Sequence, residues 1–185
     1  MKVEPTSLEG VLLIHPRVFR DPRGLFLESY TKKKYRDIGI DVEFVQDNHS
    51  VSGRNVIRGL HYQARHAQDK LVRVTKGEIF DVAVDIRPGS PTFGKWTGHR
   101  LSADNVLQMF IPAGLAHGFA VLSDTAELQY KCSDYYFPDD ERGIIWNDPD
   151  LAIDWPVADP VLSEKDSRYP RLRDLFDLQQ PPLKA

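Results

Sequence analysis

Prolines and glycines, 13 and 12 of them in 185 residues, cut this chain into short segments. That punctuation leaves little room for long helices and is the rhythm of a β-sandwich or barrel. The segments between the breaks alternate with a period of two. In "EIFDVAVDI", 78–86, Phe80, Val82, Val84 and Ile86 fall on one face and Asp81 and Asp85 on the other, and "RPGSP", 87–91, follows as a turn. In "AELQYKCS" Leu128, Tyr130 and Cys132 share a face opposite Glu127, Gln129 and Lys131, so Tyr130 is expected to point inward. "HGFAVL", 117–122, is a further strand, and so is "IRGLHYQ", 57–63, where Gly59 marks a bulge or a close backbone approach. Helical periodicity is confined to "TKKKYRDIG", 31–39, with Gly39 as its stop, and to one or two turns in "SEKDSRYPRLRDLFDL". The expectation is a single all-β domain over residues 1–185, with a few short helices.

The totals exclude several functions. A net charge of −3 gives no overall basic field for nucleic acid or an anionic membrane. Cys132, the single cysteine, rules out an internal disulfide and a cysteine-rich zinc site. The apolar run Val11 to Ile14 is too short for the core of a signal peptide, and nothing in the sequence approaches a membrane span. The expected location is the cytoplasm.

A second informative stretch is "FIPAGLAHGF", 110–119, in which Pro112, Gly114 and His117 keep the spacing P-x-G-x-x-H. This is the second half of the cupin signature, which belongs to a jelly-roll β-barrel. The first half normally carries H-x-H, then a glutamate seven residues before a glycine. Here His61 is present, but Gln63 stands at the second histidine and Lys70 stands seven residues before Gly77. A lysine where a carboxylate ligand belongs puts a cation where a cation should bind, so no metal is expected. Acid–base side chains are the alternative equipment for such a barrel.

With those departures, the chain resembles the dTDP-4-dehydrorhamnose 3,5-epimerases. The resemblance runs through "RVFRDPRGLFLESY", "FVQDNHS", "IRGLHYQ", "QDKLVRVTKGEIFDVAVDIRPGSPTFGKW", "FIPAGLAHGFAVL", "WNDPDLAIDWP" and "LSEKD", in the same order. It implies a dimeric cupin-type jelly roll that needs no cofactor and inverts carbons 3 and 5 of a 4-keto-6-deoxyhexose carried on thymidine diphosphate. Both carbons flank the ketone, so both carry acidified C–H bonds. Inversion needs a base on one face, an acid on the other and a partner for the enolate oxygen. The resemblance makes His61 the base, Tyr130 the proton donor and Lys70 the enolate partner. An imidazole with an ordinary pKa of about 6.5 suits proton abstraction near neutrality.

Asp166 has two readings. Ser163 and Asp166 have the spacing of a helix capping box, whereas the resemblance pairs Asp166 with His61. The remaining matches concern substrate binding. Arg23 and Arg58 match diphosphate contacts, and Tyr136 matches an aromatic stacking on the thymine, with Tyr135 and Phe137 as neighbours one place away. Glu28, Gln46, Asn48, His117, Glu141 and Lys165 match other substrate contacts, while His15, His49, His66 and His99 are left to structural or solvent roles. The stretch from Arg17 to Tyr30 crosses to a partner subunit in the resembling family, so a homodimer is expected. These residues leave open a relative that inverts only one of the two carbons.

Overall fold

The computed structural model describes residues 1–175. Among them are β1 (Lys2–Pro5), β2 (Leu12–His15), β3 (Val18–Asp21), β4 (Gly24–Leu27), a short helix α1 (Lys32–Arg36), β5 (Gln46–Gly53), β6 (Ile57–Gln63) and β7 (Lys70–Lys76). They are followed by β8 (Glu78–Asp85), β9 (Trp96–Ser102), β10 (Gln108–Ile111), β11 (Leu115–Val121), β12 (Thr125–Cys132) and β13 (Glu141–Gly143). Two antiparallel sheets face each other, one of six strands in the order β1-β2-β10-β7-β12-β5 and one of five in the order β13-β6-β11-β8-β9. This is the all-β jelly roll expected from the sequence. The hairpin β3–β4 stands apart as a sheet of its own.

Three apolar layers follow from this arrangement. Between the sheets, Leu13, Val72, Val74, Met109, Ile111 and Leu128 meet Ile79, Ala83, Leu101, Phe119 and Val121. Outside the five-stranded sheet, Val82, Val84, Ala116 and Ala120 are covered by Leu151, Trp155, Leu172 and Leu175 of the later chain. Outside the six-stranded sheet, Ile14, Leu71 and Phe110 are covered by Tyr35 and Ile40, in and just after α1.

The parity read for residues 78–86 holds, but both faces of β8 are buried. The face carrying Asp81 and Asp85 looks into the barrel, and both carboxylates are fully enclosed. Asp85 is satisfied by Arg87, Ser90 and Thr92 of the turn that follows. Gly39 ends the α1 segment at φ +93°, as expected of a helix stop. In the stretch 163–178 the described residues form a 3₁₀ turn at Asp166–Arg168, and residues 176–178 lie outside the described residues.

Gly59 makes the close approach its position in β6 suggested. It takes φ +134°, and a Cβ built there lies 2.5 Å from the Gly118 Cα. The pairing of β6 with β11 slips between His117 and Phe119 at the same place. This contact draws the two strands together directly beside His61, which pairs across with His117.

Candidate active site

One cavity of about 260 Å³ opens at the end of the barrel, and its walls include His61, Lys70, Tyr130, Tyr136, Glu141 and Gln46. The groups come from opposite sheets. His61 rises from β6 in the five-stranded sheet, while Lys70 and Tyr130 come from β7 and β12 in the six-stranded sheet. Tyr130 thus faces inward, as its alternation with Leu128 and Cys132 required.

His61 Nε2 lies 2.7 Å from Asp166 Oδ1, and Asp166 is almost wholly buried. Burial pushes the Asp166 carboxyl up, but its bonds with His61, Gly59 and Ser163 outweigh that and hold it below its ordinary value. The other ring nitrogen of His61, Nδ1, has no protein partner among the described residues. The structure brings Asp166 to His61, as the resemblance implied, and keeps one half of the capping box. Its backbone N–H donates to Ser163 Oγ at 3.0 Å, the capping half of the box. Its side chain turns away from the helix start to hold the histidine. The Tyr169 ring packs edge-on against His61 with centroids 5.7 Å apart.

Lys70 makes no ion pair among the described residues. Burial lowers its pKa, partly offset by Cys132, Asp81 and Glu141. An ammonium held without a counter-ion inside a cavity is available to an anion that forms there. Burial also pushes the Tyr130 hydroxyl up to about 12, which keeps it protonated at neutral pH. The Tyr130 hydroxyl has no hydrogen-bond partner among the described residues.

On the far side of His61 a second depression is lined by Arg58, Lys165, Asp166 and Ser163. Arg58 Nε donates to Ser52 Oγ at 3.0 Å, leaving much of its guanidinium free. Lys165 and the Tyr136 hydroxyl both reach Glu141 Oε2, at 2.7 and 2.5 Å, which links the two depressions. Those bonds, with His61 nearby, bring Glu141 below its ordinary pKa despite its burial. Gln46 Nε2 donates to Asn48 Oδ1 at 3.1 Å along the cavity wall.

Three expected contact residues stand elsewhere. His117 is buried behind the cavity, with Nε2 2.7 Å from Asp81 Oδ1. Arg23, at the tip of the β3–β4 hairpin, pairs with Asp21 at 2.5 Å. Glu28, just past β4, pairs with Lys34 at 2.7 Å. Arg23 and Glu28 line neither depression around His61. Of the three aromatic neighbours, Tyr136 lines the cavity, Phe137 stacks on His66 at 4.0 Å, and Tyr135 is exposed. The motif reading missed Tyr62, Gln63, Gln68 and Cys132 in the wall. For Cys132 the signal was present, because it shares the inward face with Tyr130.

A jelly roll whose cavity sets an imidazole–carboxylate pair opposite a phenol and an unpaired ammonium defines a class: a barrel furnished for proton transfer by side chains. Comparison with known proteins narrows this. The family model described as dTDP-4-dehydrorhamnose 3,5-epimerase matches residues 5–174, and the chain belongs to that family. It is an isomerase, and 3,5-epimerisation in rhamnose biosynthesis is its reaction. The dTDP-4-dehydrorhamnose 3,5-epimerase of Pseudomonas aeruginosa is 60% identical over 168 residues, covering 90% of this chain and 93% of the relative. The crystal structure of a 3,5-epimerase from Legionella pneumophila in complex with dTDP-4-keto-L-rhamnose superposes with a TM-score of 0.93 at 48% identity, covering 100% of this chain and 99% of that one. A 3′-monoepimerase from Streptomyces bikiniensis in complex with dTDP-quinovose also superposes, with a TM-score of 0.89 at 37% identity, covering 94% of this chain and 89% of that one.

Proposed function

We propose that the chain inverts carbons 3 and 5 of dTDP-4-dehydro-6-deoxy-D-glucose, giving dTDP-4-dehydro-L-rhamnose, by passing protons between His61 and Tyr130 across the cavity. The observation that carries this is the origin of the two groups on opposite sheets, because inversion requires removal from one face of the sugar and delivery to the other. With Nε2 engaged by Asp166, His61 uses Nδ1 as the base, and Asp166 stabilises the imidazolium that results. The C4 oxygen gathers negative charge as the enolate forms, and Lys70 is the cation for it. A positioned donor at such an oxygen is typically worth roughly 3–4 kcal/mol. Tyr130 then supplies the proton on the opposite face.

Arg58 meets the diphosphate in the depression beyond His61, and guanidinium forks suit phosphate oxygens. Tyr136 stacks on the thymine, with Gln46, Asn48, Glu141 and Lys165 as polar neighbours. Arg23 and Glu28 act in the site of a second copy. The β3–β4 hairpin that carries Arg23 exposes Phe19, Leu25 and Phe26, an apolar ribbon suited to a partner. The assembly is therefore a homodimer, and light scattering that finds a fully active monomer defeats that part of the reading. One buried free cysteine, Cys132, suits the cytoplasm as the place of work. Among the described residues no helix is long and apolar enough to cross a membrane.

The test is NMR of dTDP-4-keto-6-deoxyglucose with the enzyme in deuterated water. Deuterium is expected at both carbons 3 and 5. Incorporation at a single carbon identifies a mono-epimerase instead, and incorporation at neither overturns the proposal.

A further inference from the structure

Gln63 stands where the cupin signature carries its second histidine, and its amide is wholly committed to the protein. Nε2 donates to the His66 carbonyl at 2.7 Å and to the Tyr135 carbonyl at 3.0 Å. Oε1 accepts the Phe137 N–H at 2.6 Å. The side chain is buried at the end of β6 and ties the β6–β7 connection to the segment that follows β12.

A second glutamine fastens the same segment from the other side, since Gln46 Oε1 on β5 accepts the Tyr136 N–H at 2.9 Å. The two glutamines belong to different sheets, so residues 135–137 span the mouth of the barrel with one clip to each wall. Behind them, buried Asp140 accepts the backbone N–H groups of Arg65 and His66 at 2.9 and 2.8 Å. It also lies 3.1 Å from His66 Nδ1, and the His66 ring stacks on Phe137. Phe137 is thus held by its backbone through Gln63 and by its ring through His66. Tyr136 carries the Gln46 clip on its own N–H, is flanked by the Gln63 bonds to Tyr135 and Phe137, and has its hydroxyl on Glu141.

We propose that Gln63 is a positioning residue that sets where the Tyr136 ring stands, and through it the affinity for the nucleotide end of the substrate, with no share in proton transfer. The inference rests on the reading of Tyr136 as the base-stacking residue. His61, Lys70 and Tyr130 sit within strands and make no hydrogen bond to Gln63, so loosening the 135–137 segment leaves them in place. Removing the Gln63 amide leaves one N–H and two carbonyls without their partner, and the segment loses its clip to the five-stranded sheet while keeping the one from Gln46.

The test uses Gln63→Met, which keeps the length and apolar stem but has neither donor nor acceptor, alongside Tyr136→Ala. Thermal melting establishes folding, and dTDP binding, KM, kcat and hydrogen–deuterium exchange of the 133–140 segment are read for each. In Gln63→Met, KM and the Kd for dTDP are expected to rise about tenfold or more, with kcat at saturating substrate within about threefold of the parent. The Phe137 amide is expected to exchange faster. A fall in kcat at unchanged KM, or unchanged dTDP affinity with faster exchange, overturns the proposal. If Tyr136→Ala binds dTDP like the parent, the stacking reading fails; if it binds weakly while Gln63→Met does not, the positioning role alone fails. Should Gln63→Met not fold, Gln63→Glu retains the acceptor for Phe137 and loses the donors. Its dTDP affinity is then expected to be weakened, and parental affinity in that variant overturns the proposal.

Discussion

Replacing Asp166 by asparagine tests the dyad with the least change of shape. Asp166 Oδ1 faces His61 Nε2 at 2.7 Å, and Oδ2 faces the Gly59 N–H at 3.4 Å. An asparagine cannot serve both as an acceptor. If its oxygen takes the Gly59 side, its NH₂ faces Nε2, which must then carry the lone pair. The proton moves to Nδ1, and the nitrogen assigned as base has nothing to accept with. If the amide is turned the other way, the tautomer is kept but two N–H donors oppose each other at a buried site, at about 1–3 kcal/mol. That disfavours the active tautomer by roughly five- to 150-fold. A neutral partner also stabilises the imidazolium less than a carboxylate does, by a further ~1–2 kcal/mol, since charge-assisted hydrogen bonds are about twice as strong as neutral ones. Together these predict a fall in kcat of about 30- to 5,000-fold. The assay is deuterium wash-in at carbons 3 and 5 at saturating substrate, with dTDP binding as the control for an intact site. The linkage sign also matters. The Asp166 carboxyl lies below its ordinary value in the folded chain, so it contributes stability above about pH 4 that is lost as pH falls through the lowered pKa. Asparagine forgoes that contribution at neutral pH, and the variant should melt somewhat earlier. A folded Asp166→Asn enzyme that exchanges deuterium within about threefold of the parent refutes the tautomer argument.

Tyr130→Phe should still let His61 remove protons, so deuterium should enter the substrate faster than inverted product accumulates; a parental ratio of exchange to inversion removes Tyr130 as the donor. Raising the pH should abolish activity through Lys70 before Tyr130, because burial lowers the lysine while it pushes the tyrosine up to about 12. The alkaline limb of the kcat profile should therefore lie below the ordinary lysine range of about 10.4 and stay unmoved in Tyr130→Phe. Gly59→Ala should cost about 3 kcal/mol or more, read by denaturant melts, since its Cβ would meet the Gly118 backbone at 2.5 Å in a strained φ.

The strands were legible because turn residues bound them and because alternation put Tyr130 beside Leu128 and Cys132. Alternation did not tell which face of β8 meets solvent, and neither does. The five-stranded sheet is sandwiched between the barrel interior and the chain after β13, so its polar positions, Asp81 and Asp85, had to find partners inside. The meeting of His61 with Asp166 was not legible from spacing, because it depends on the 3₁₀ turn being carried back onto β6; the family resemblance alone suggested it. Arg23 and Glu28 line neither depression of their own chain, so the substrate contacts that the resemblance implies for them rest on the proposed second copy. Gln63 was read as a missing metal ligand, and its three bonds to the neighbouring connections could not be seen without the fold.

The metal-binding positions of the cupin pattern have each been given other work here. Gln63 is spent on holding two connections. Lys70 brings a positive charge to the position of the acidic ligand and has no counter-ion among the described residues. His117 is turned to Asp81 behind the cavity. Of the two histidines that the pattern keeps here, His61 is the one that lines the cavity, and it has acquired a carboxylate from the far end of the chain. A Lewis acid and an ammonium answer the same chemical need, a positive charge beside an oxygen that becomes anionic. The ammonium occupies the ligand position itself, so the two solutions exclude each other in one barrel. Converting Lys70 to glutamate would therefore not restore a metal site by itself. Gln63 would also have to give up the clip that holds residues 135–137, and the mouth of the barrel would lose its shape along with its charge.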